Sequence, residues 1–340
     1  MKKNIFAVCD LEGDYASNFM NYITQKKSVP FEIHAFTTVE KLIAFGQKMP
    51  IELLLISGNA MNAKVKELNI GKIIILSEGV HAPELDQYPS VYKYQSSANV
   101  VREVMACYGE ERTSALAELP ILKKTTEILA VYSPLGRCLK TSFALALGQI
   151  LAKEKGVLFL DLEGRSGFEE LLKINGSLQN TPNLTDLLYY VRHGTPNLIF
   201  KISSMIRNIQ HLDYIPPVIN PVDVHEVSSE DWERLLDEIE YRSSYEYMVI
   251  DVGNDVDDPI PILNRCSKIY MPVLSDVISA AKITQFENYL KVWDFSQILT
   301  KIVKVKPPFH SAANAEDYFN QLVWSELGDY IRDLLRKELE

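Results

Sequence analysis

The stretch Ser133-Pro134-Leu135-Gly136-Arg137-Cys138-Leu139-Lys140-Thr141-Ser142 carries the residue types that bind phosphate. The apolar run Glu127–Tyr132 leads into it, and an apolar helical pattern over Thr141–Lys153 leads out. A tight loop between a buried strand and a helix can turn successive backbone N–H groups onto phosphate oxygens. The helix N-terminus adds partial positive charge. In that frame Lys140 reaches the terminal phosphates of a nucleotide, the Thr141 hydroxyl holds Mg2+, and Ser142 lies beside it. Gly136 is the one glycine left in the loop. Taken alone, an ordinary strand–loop–helix with an exposed lysine explains the pattern equally well.

Two further strand-like runs end in carboxylates. Val157–Leu160 runs into Asp161, with Glu163 two residues on, and Tyr247–Ile250 runs into Asp251, with Gly253 just after. Strands this apolar are buried on both faces, which predicts a parallel sheet. Parallel strands that end together place Asp161, Asp251 and the Lys140 loop on one carboxyl edge, where α/β sheets bind ligands. A strand-end cap would account for either aspartate alone. The ordered set is what argues for a site.

This set resembles the ParA/MinD ATPases, whose deviant loop reads Lys-Gly-Gly-x-Gly-Lys-Thr. On that pattern Leu135 falls at the first, signature lysine. Gly136 falls at the first glycine, Arg137 at the second and Leu139 at the third, while Lys140 and Thr141 match. The resemblance implies a P-loop domain of the SIMIBI type that uses ATP and Mg2+. Its nucleotide-binding residues would be Gly136, Arg137, Lys140, Thr141, Ser142 and Asp251, with Thr141 and Asp251 at the metal. Asp161 and Glu163 would serve the switch and orient water in catalysis. It also implies an ATP-dependent homodimer, and slow hydrolysis where the signature lysine is missing.

The first third of the chain has a different set of strand ends. Asp10 and Glu12 follow the run Asn4–Cys9, Ser57 ends Leu53–Ile56, Ser77 ends Ile73–Leu76, and Lys93 lies in Val91–Tyr94. The arrangement resembles response-regulator receivers, flavodoxin-like domains that phosphorylate an aspartate at the position held here by Ser57. A serine hydroxyl does not replace that carboxylate without a base. Asp10 and Glu12 are explained more simply as partners of a helix N-terminus than as a metal site. A pseudo-receiver used for docking or dimerisation is therefore expected over 1–108, with a linker at 109–125 and the P-loop domain over 126–340. This layout resembles the CpaE-type pilus-assembly localisation proteins, which implies protein partners in membrane-associated assembly machinery.

The remaining pattern sets the frame. Strands are predicted at Phe31–Phe36, Lys268–Val273 and Ile302–Val305. Helices are predicted at Tyr15–Gln25, Val39–Gln47, Ala98–Tyr108, Asp231–Tyr241 and Ser279–Val292, with one long helix at Glu316–Leu335. Turn formers leave 175–227 without a readable pattern. The net charge of −10 over 340 residues gives no global attraction for DNA or anionic lipid. The last helix carries acids rather than the basic face of a membrane-surface helix, so direct DNA or membrane binding is not expected. The four scattered cysteines, Cys138 in the loop included, show no metal or disulfide spacing. No run approaches the roughly 20 apolar residues of a membrane span, and a cytoplasmic location is expected. The acidic run Asp255–Asp258 lacks calcium-loop spacing. Incubation with acetyl phosphate and Mg2+ should give no acyl-phosphate adduct within residues 1–108 by mass spectrometry. A specific adduct there would contradict the pseudo-receiver assignment.

Overall fold

A computed structural model describes residues 4–26, 31–79, 83–110, 126–168, 171, 181–196, 198–309 and 318–339. The linker expected at 109–125 lies almost wholly outside them. Contacts divide the chain into two compact units. The first holds Met1–Lys123, Pro196–Met205 and Arg242–Ser244, and the second holds Lys124–Thr195, Ile206–Tyr241 and Tyr245–Glu340.

In the first unit, β1 (Ile5–Cys9), β2 (Glu32–Phe36), β3 (Ile51–Ser57), β4 (Ile70–Ser77) and β5 (Ser90–Tyr92) form a five-stranded sheet. All pairs are parallel, in the order β2-β1-β3-β4-β5. Leu53, Leu54, Leu55 and Ile56 of β3 are all buried, as a central parallel strand requires. Full helical crossovers occur at Gly13–Lys26 and Val39–Gly46. The connection after β3 has the 3-10 turn Gly58–Ala60 and the one-turn helix Ala63–Lys66, and the described residues of the one after β4 hold a 3-10 turn, Pro83–Leu85.

Helix Leu198–Met205 belongs to this first unit although it lies far along the chain. Leu198, Ile199, Phe200, Ile202 and Met205 are all buried. Phe200 packs edge-on to Tyr108 with centroids 4.6 Å apart and stacks on Phe31 at 5.8 Å.

In the second unit, β6 (Glu127–Val131), β7 (Val157–Asp161), β8 (Arg207–Ile209), β9 (Leu212–Tyr214), β10 (Tyr247–Asp251), β11 (Lys268–Pro272) and β12 (Ile302–Val305) form a seven-stranded sheet. Its order is β12-β11-β6-β10-β7-β9-β8, parallel throughout except for the antiparallel β8–β9 pair at one edge. The central β6 is covered by helix Lys140–Leu151, whose residues from Phe143 to Gln149 are buried. The registers Asp251↔Val131 and Asp251↔Asp161 bring three strand ends to one level. The sequence predicts one last helix, and the structure has two, Tyr318–Trp324 and Glu326–Leu339. Gly328 explains the break: a Cβ there would meet the carbonyl oxygen of Val323 at 2.0 Å, so only glycine lets the second helix fold back so tightly.

Phe200→Ala should cost about 3–5 kcal/mol, the usual range for deleting a buried phenyl ring. Hydrogen exchange should place the loss in residues 1–108 even though residue 200 lies beyond that segment. A loss confined to the second sheet would contradict the division into units.

Candidate functional site

The loop between β6 and its helix holds two non-glycine residues in backbone that glycine favours. Arg137 has φ 57°, and Leu139, the residue before the helix, has φ 64° and ψ 26°. Both are in the left-handed region that glycine enters freely and a leucine enters at about 1–2 kcal/mol. Gly136 does not use positive φ, and a Cβ there would meet nothing within 4 Å. The loop is anchored from below: the Ser133 hydroxyl donates to the Pro272 carbonyl at 2.8 Å and accepts from the Leu135 N–H at 3.3 Å. Leu135, at the signature-lysine position, is buried. Cys138 is buried as well, and burial raises its thiol pKa.

A cleft of about 440 Å³ opens over this loop, lined by Leu135–Ser142, Glu163, Asn254 and Phe309. Its size falls in the range of small-molecule sites, about 300–1,000 Å³. Gly136, Arg137, Lys140, Thr141, Ser142 and Glu163 of the expected set therefore share one cavity. Asp161 and Asp251 do not line it. They are buried at the strand ends.

Lys140 is buried and fully engaged. Its Nζ donates to the Val252 carbonyl at 2.8 Å and pairs with Glu163 Oε1 at 2.5 Å. Ser142 is also engaged, its Oγ lying 2.8 Å from the Tyr318 hydroxyl. Tyr318 carries no motif signal in the sequence, and only the packing of its helix on the loop helix reveals it.

Asp161 and Asp251 face each other across one strand spacing, about 4.8 Å between neighbouring chains. Asp161 Oδ1 accepts from the Glu163 N–H at 2.9 Å, while Oδ2 is buried without a partner. Both oxygens of Asp251 are buried without a partner. The Thr141 hydroxyl lies close enough to lower the Asp251 pKa but completes no hydrogen bond with it. Burial pushes the Asp251 carboxyl up to about 6, against the opposing pull of Lys140 and Thr141. Burial and the neighbouring Asp251 charge raise Asp161 well above the ordinary carboxylate range.

These orphaned oxygens fit a divalent ion. No cluster of three or more His, Cys, Asp or Glu suited to a metal occurs among the described residues. A Mg2+ here would draw on Asp251, Thr141, phosphate oxygens and water, which is how Mg2+ is usually held at nucleotide sites.

The first unit gathers its expected residues as well, with a different outcome. Lys93 is fully buried, 3.0 Å from Asp10 Oδ2, 3.1 Å from Glu12 Oε1 and 3.2 Å from Glu78 Oε1. Its Nζ also lies 4.9 Å from the Tyr15 ring centroid. Burial opposes the lysine charge, but the three carboxylates outweigh it and hold the pKa above the usual lysine value. Asp10 Oδ1 accepts from the N–H of Glu12, the residue before the helix, at 2.8 Å, a turn ahead of the helix rather than the expected cap on it. The acids thus serve an internal lysine. Glu78, one residue past Ser77, is the partner that sequence reasoning missed. Ser57 is buried at the end of β3, its hydroxyl unsatisfied.

No protein-family model and no curated protein matches the chain. Among solved structures it is similar to a plasmid partition protein from Borrelia burgdorferi B31 bound to AMPPNP, at 15% identity and TM-score 0.43, covering 63% of this chain and all of that one. It is also similar to a ParA family ATPase from Chlorobium tepidum TLS, at 15% identity and TM-score 0.45, covering 62% and 98%. A third is the MinC:MinD cell division complex of Aquifex aeolicus, at 17% identity and TM-score 0.41, covering 62% and 78%. At this level of likeness nothing about activity or partners follows for this chain. No helix among the described residues is long and apolar enough to cross a membrane.

The aspartate pair has a pH signature. A carboxyl with a folded pKa near 6 binds its proton more tightly than the unfolded chain does. Its contribution to stability is complete below the unfolded value near 4 and is lost as pH rises through 6. Asp251→Asn should remove that loss. The variant should be more stable than wild type at pH 7, in the absence of metal, by on the order of 2–3 kcal/mol. Denaturant unfolding at pH 4 and pH 7 checks this, and an unchanged pH slope would refute it.

Proposed function

We propose that the chain is a nucleotide-dependent switch of the ParA/MinD kind. ATP·Mg2+ binds weakly in the cleft over Leu135–Ser142, is hydrolysed very slowly, and favours a homodimer across the carboxyl edge of the second sheet. The observation that carries this reading is the left-handed backbone of Arg137 and Leu139. Strain of this kind persists where a function needs the shape, and here it lies in a loop that lines a cleft at a helix N-terminus, where anions bind. Lys140 is the ligand for the terminal phosphates, Arg137 is an exposed cation at the cleft, and Ser142 sits beside the phosphates. Thr141 and Asp251 would hold Mg2+, which when bound offsets phosphate charge. Asp161 orients the Glu163 segment through its N–H. Leu135 offers no cation to the transferring phosphoryl group. By analogy with arginine fingers, that absence lowers the rate by on the order of 10³–10⁵.

Exposed apolar residues follow the strand ends on this edge: Leu274, Val277 and Ile278 after β11, and Phe309 after β12 beside the cleft. They support a protein interface there. The first unit is read as a flavodoxin-like pseudo-receiver that docks a protein partner. Its β2-β1-β3-β4-β5 order and the Lys93 cluster at its carboxyl edge support this. The proposed domains remain 1–108 and 126–340 joined by 109–125, with helix Leu198–Met205 returning to the first. A CpaE-like role, with partners in membrane-associated assembly machinery in the cytoplasm, follows as the proposed setting. The rival is a scaffold with a relic loop, favoured by the buried Leu135 and the loss of two glycines.

Calorimetry with ATP·Mg2+ should detect binding at millimolar nucleotide, lost in Lys140→Ala. Turnover should fall far below about 1 s⁻¹, the low end for kinases. No thermal stabilisation of wild type at millimolar nucleotide would favour the scaffold. Turnover near that rate would mean that another cation replaces the missing lysine, with Arg137 the first to examine.

A further inference from the structure

Glu163 is held where a phosphate would have to sit in order to reach Lys140. The Lys140–Glu163 contact at 2.5 Å joins a buried cation to a carboxylate that itself lines the cleft. Ion pairs removed from water are far stronger than exposed ones.

The Glu163 segment is not free to swing aside. Leu162 N donates to the Asp251 carbonyl at 2.9 Å, Glu163 N to Asp161 Oδ1 at 2.9 Å, and Gly164 N to Asp255 Oδ2 at 3.0 Å. Gly253 presses against the same backbone: a Cβ on it would meet the Leu162 carbonyl oxygen at 2.4 Å and Glu163 Cα at 2.8 Å. Lys140 is tethered to this assembly a second time, through the Val252 carbonyl. The loops after β7 and β10 and the lysine thus form one closed unit. Asp255, from an acidic run that looks like a plain solvated loop in the sequence, is part of its frame.

We propose that Glu163 is an internal anion that stands in for the terminal phosphates, so that nucleotide enters only by displacing it from Lys140. The proposal rests on Lys140 being the phosphate ligand. Glu163 then sets affinity before it takes part in any chemistry, and a displaced carboxylate beside phosphate oxygens repels them. Asp255 is a positioning residue that acts through the Gly164 N–H.

The test is calorimetry of the full chain with Mg·AMPPNP, on wild type, Glu163→Gln, Glu163→Ala, Asp255→Ala and Lys140→Ala, with melting curves alongside. Both Glu163 variants should bind at least about tenfold more tightly than wild type, a difference of about 1.4 kcal/mol. Asp255→Ala should gain less, in the same direction. Without nucleotide the Glu163 variants should melt lower than wild type, because Lys140 loses its partner, while the nucleotide-induced rise should be larger. A merely structural role would lower both. Binding by wild type with equal or weaker binding by both Glu163 variants overturns this inference and leaves the nucleotide reading standing. No binding by any protein at millimolar nucleotide, or full binding by Lys140→Ala, overturns the nucleotide reading and the inference with it.

Discussion

A lysine ammonium buried at the start of a helix costs free energy unless an anion and hydrogen-bond acceptors lie beside it. Lys140 is in that position, and the helix N-terminus adds to the positive potential around it. The rest of the second unit's carboxyl edge is arranged around this requirement. β6 delivers the loop, and β10 and β7, next in the sheet, deliver Val252 and Glu163 to the ammonium. The two aspartates end those strands, buried and with carboxyl oxygens unsatisfied.

The loop over Ser133–Leu139 is held at both ends. Ser133 ties the loop to the end of β11, Leu135 is buried, and the helix starts on time at Lys140. With both ends held, the intervening residues have few ways to cross, and Arg137 and Leu139 are left in backbone that suits neither.

Much of this was legible in the sequence, for physical reasons. β7 and β10 are short apolar runs that end in aspartate, β12 is apolar but for Lys304, and their predicted limits Val157–Asp161, Tyr247–Asp251 and Ile302–Val305 are the observed ones. The loop whose composition stood out in the sequence lines the cleft, while the two strand-end aspartates do not. Other features depend on contacts that no local pattern encodes. Strands β8 and β9 have three residues each and turn at Gln210, a non-glycine residue at φ 55°, so neither periodicity nor a glycine marks them. Helix Leu198–Met205 is apolar on nearly every side, which says that it is buried but not in which unit. The Lys140–Glu163 pair spans 23 positions, and Glu163 read alone suggested only catalysis. The Lys93 cluster was half legible: Asp10, Glu12 and Lys93 were placed at one edge, while Glu78 had no motif to mark it.

The central claim is that a strained, glycine-poor loop binds the phosphates of a nucleotide. A crystal structure of the full chain grown with Mg2+ and AMPPNP tests it most directly. The phosphates should lie on the backbone N–H groups of residues 137–141, with Lys140 Nζ on a phosphate oxygen instead of on Glu163 and with Arg137 and Leu139 still at positive φ. A nucleotide bound elsewhere on the chain, or an empty cleft with Lys140 still on Glu163 at millimolar ligand, would contradict it.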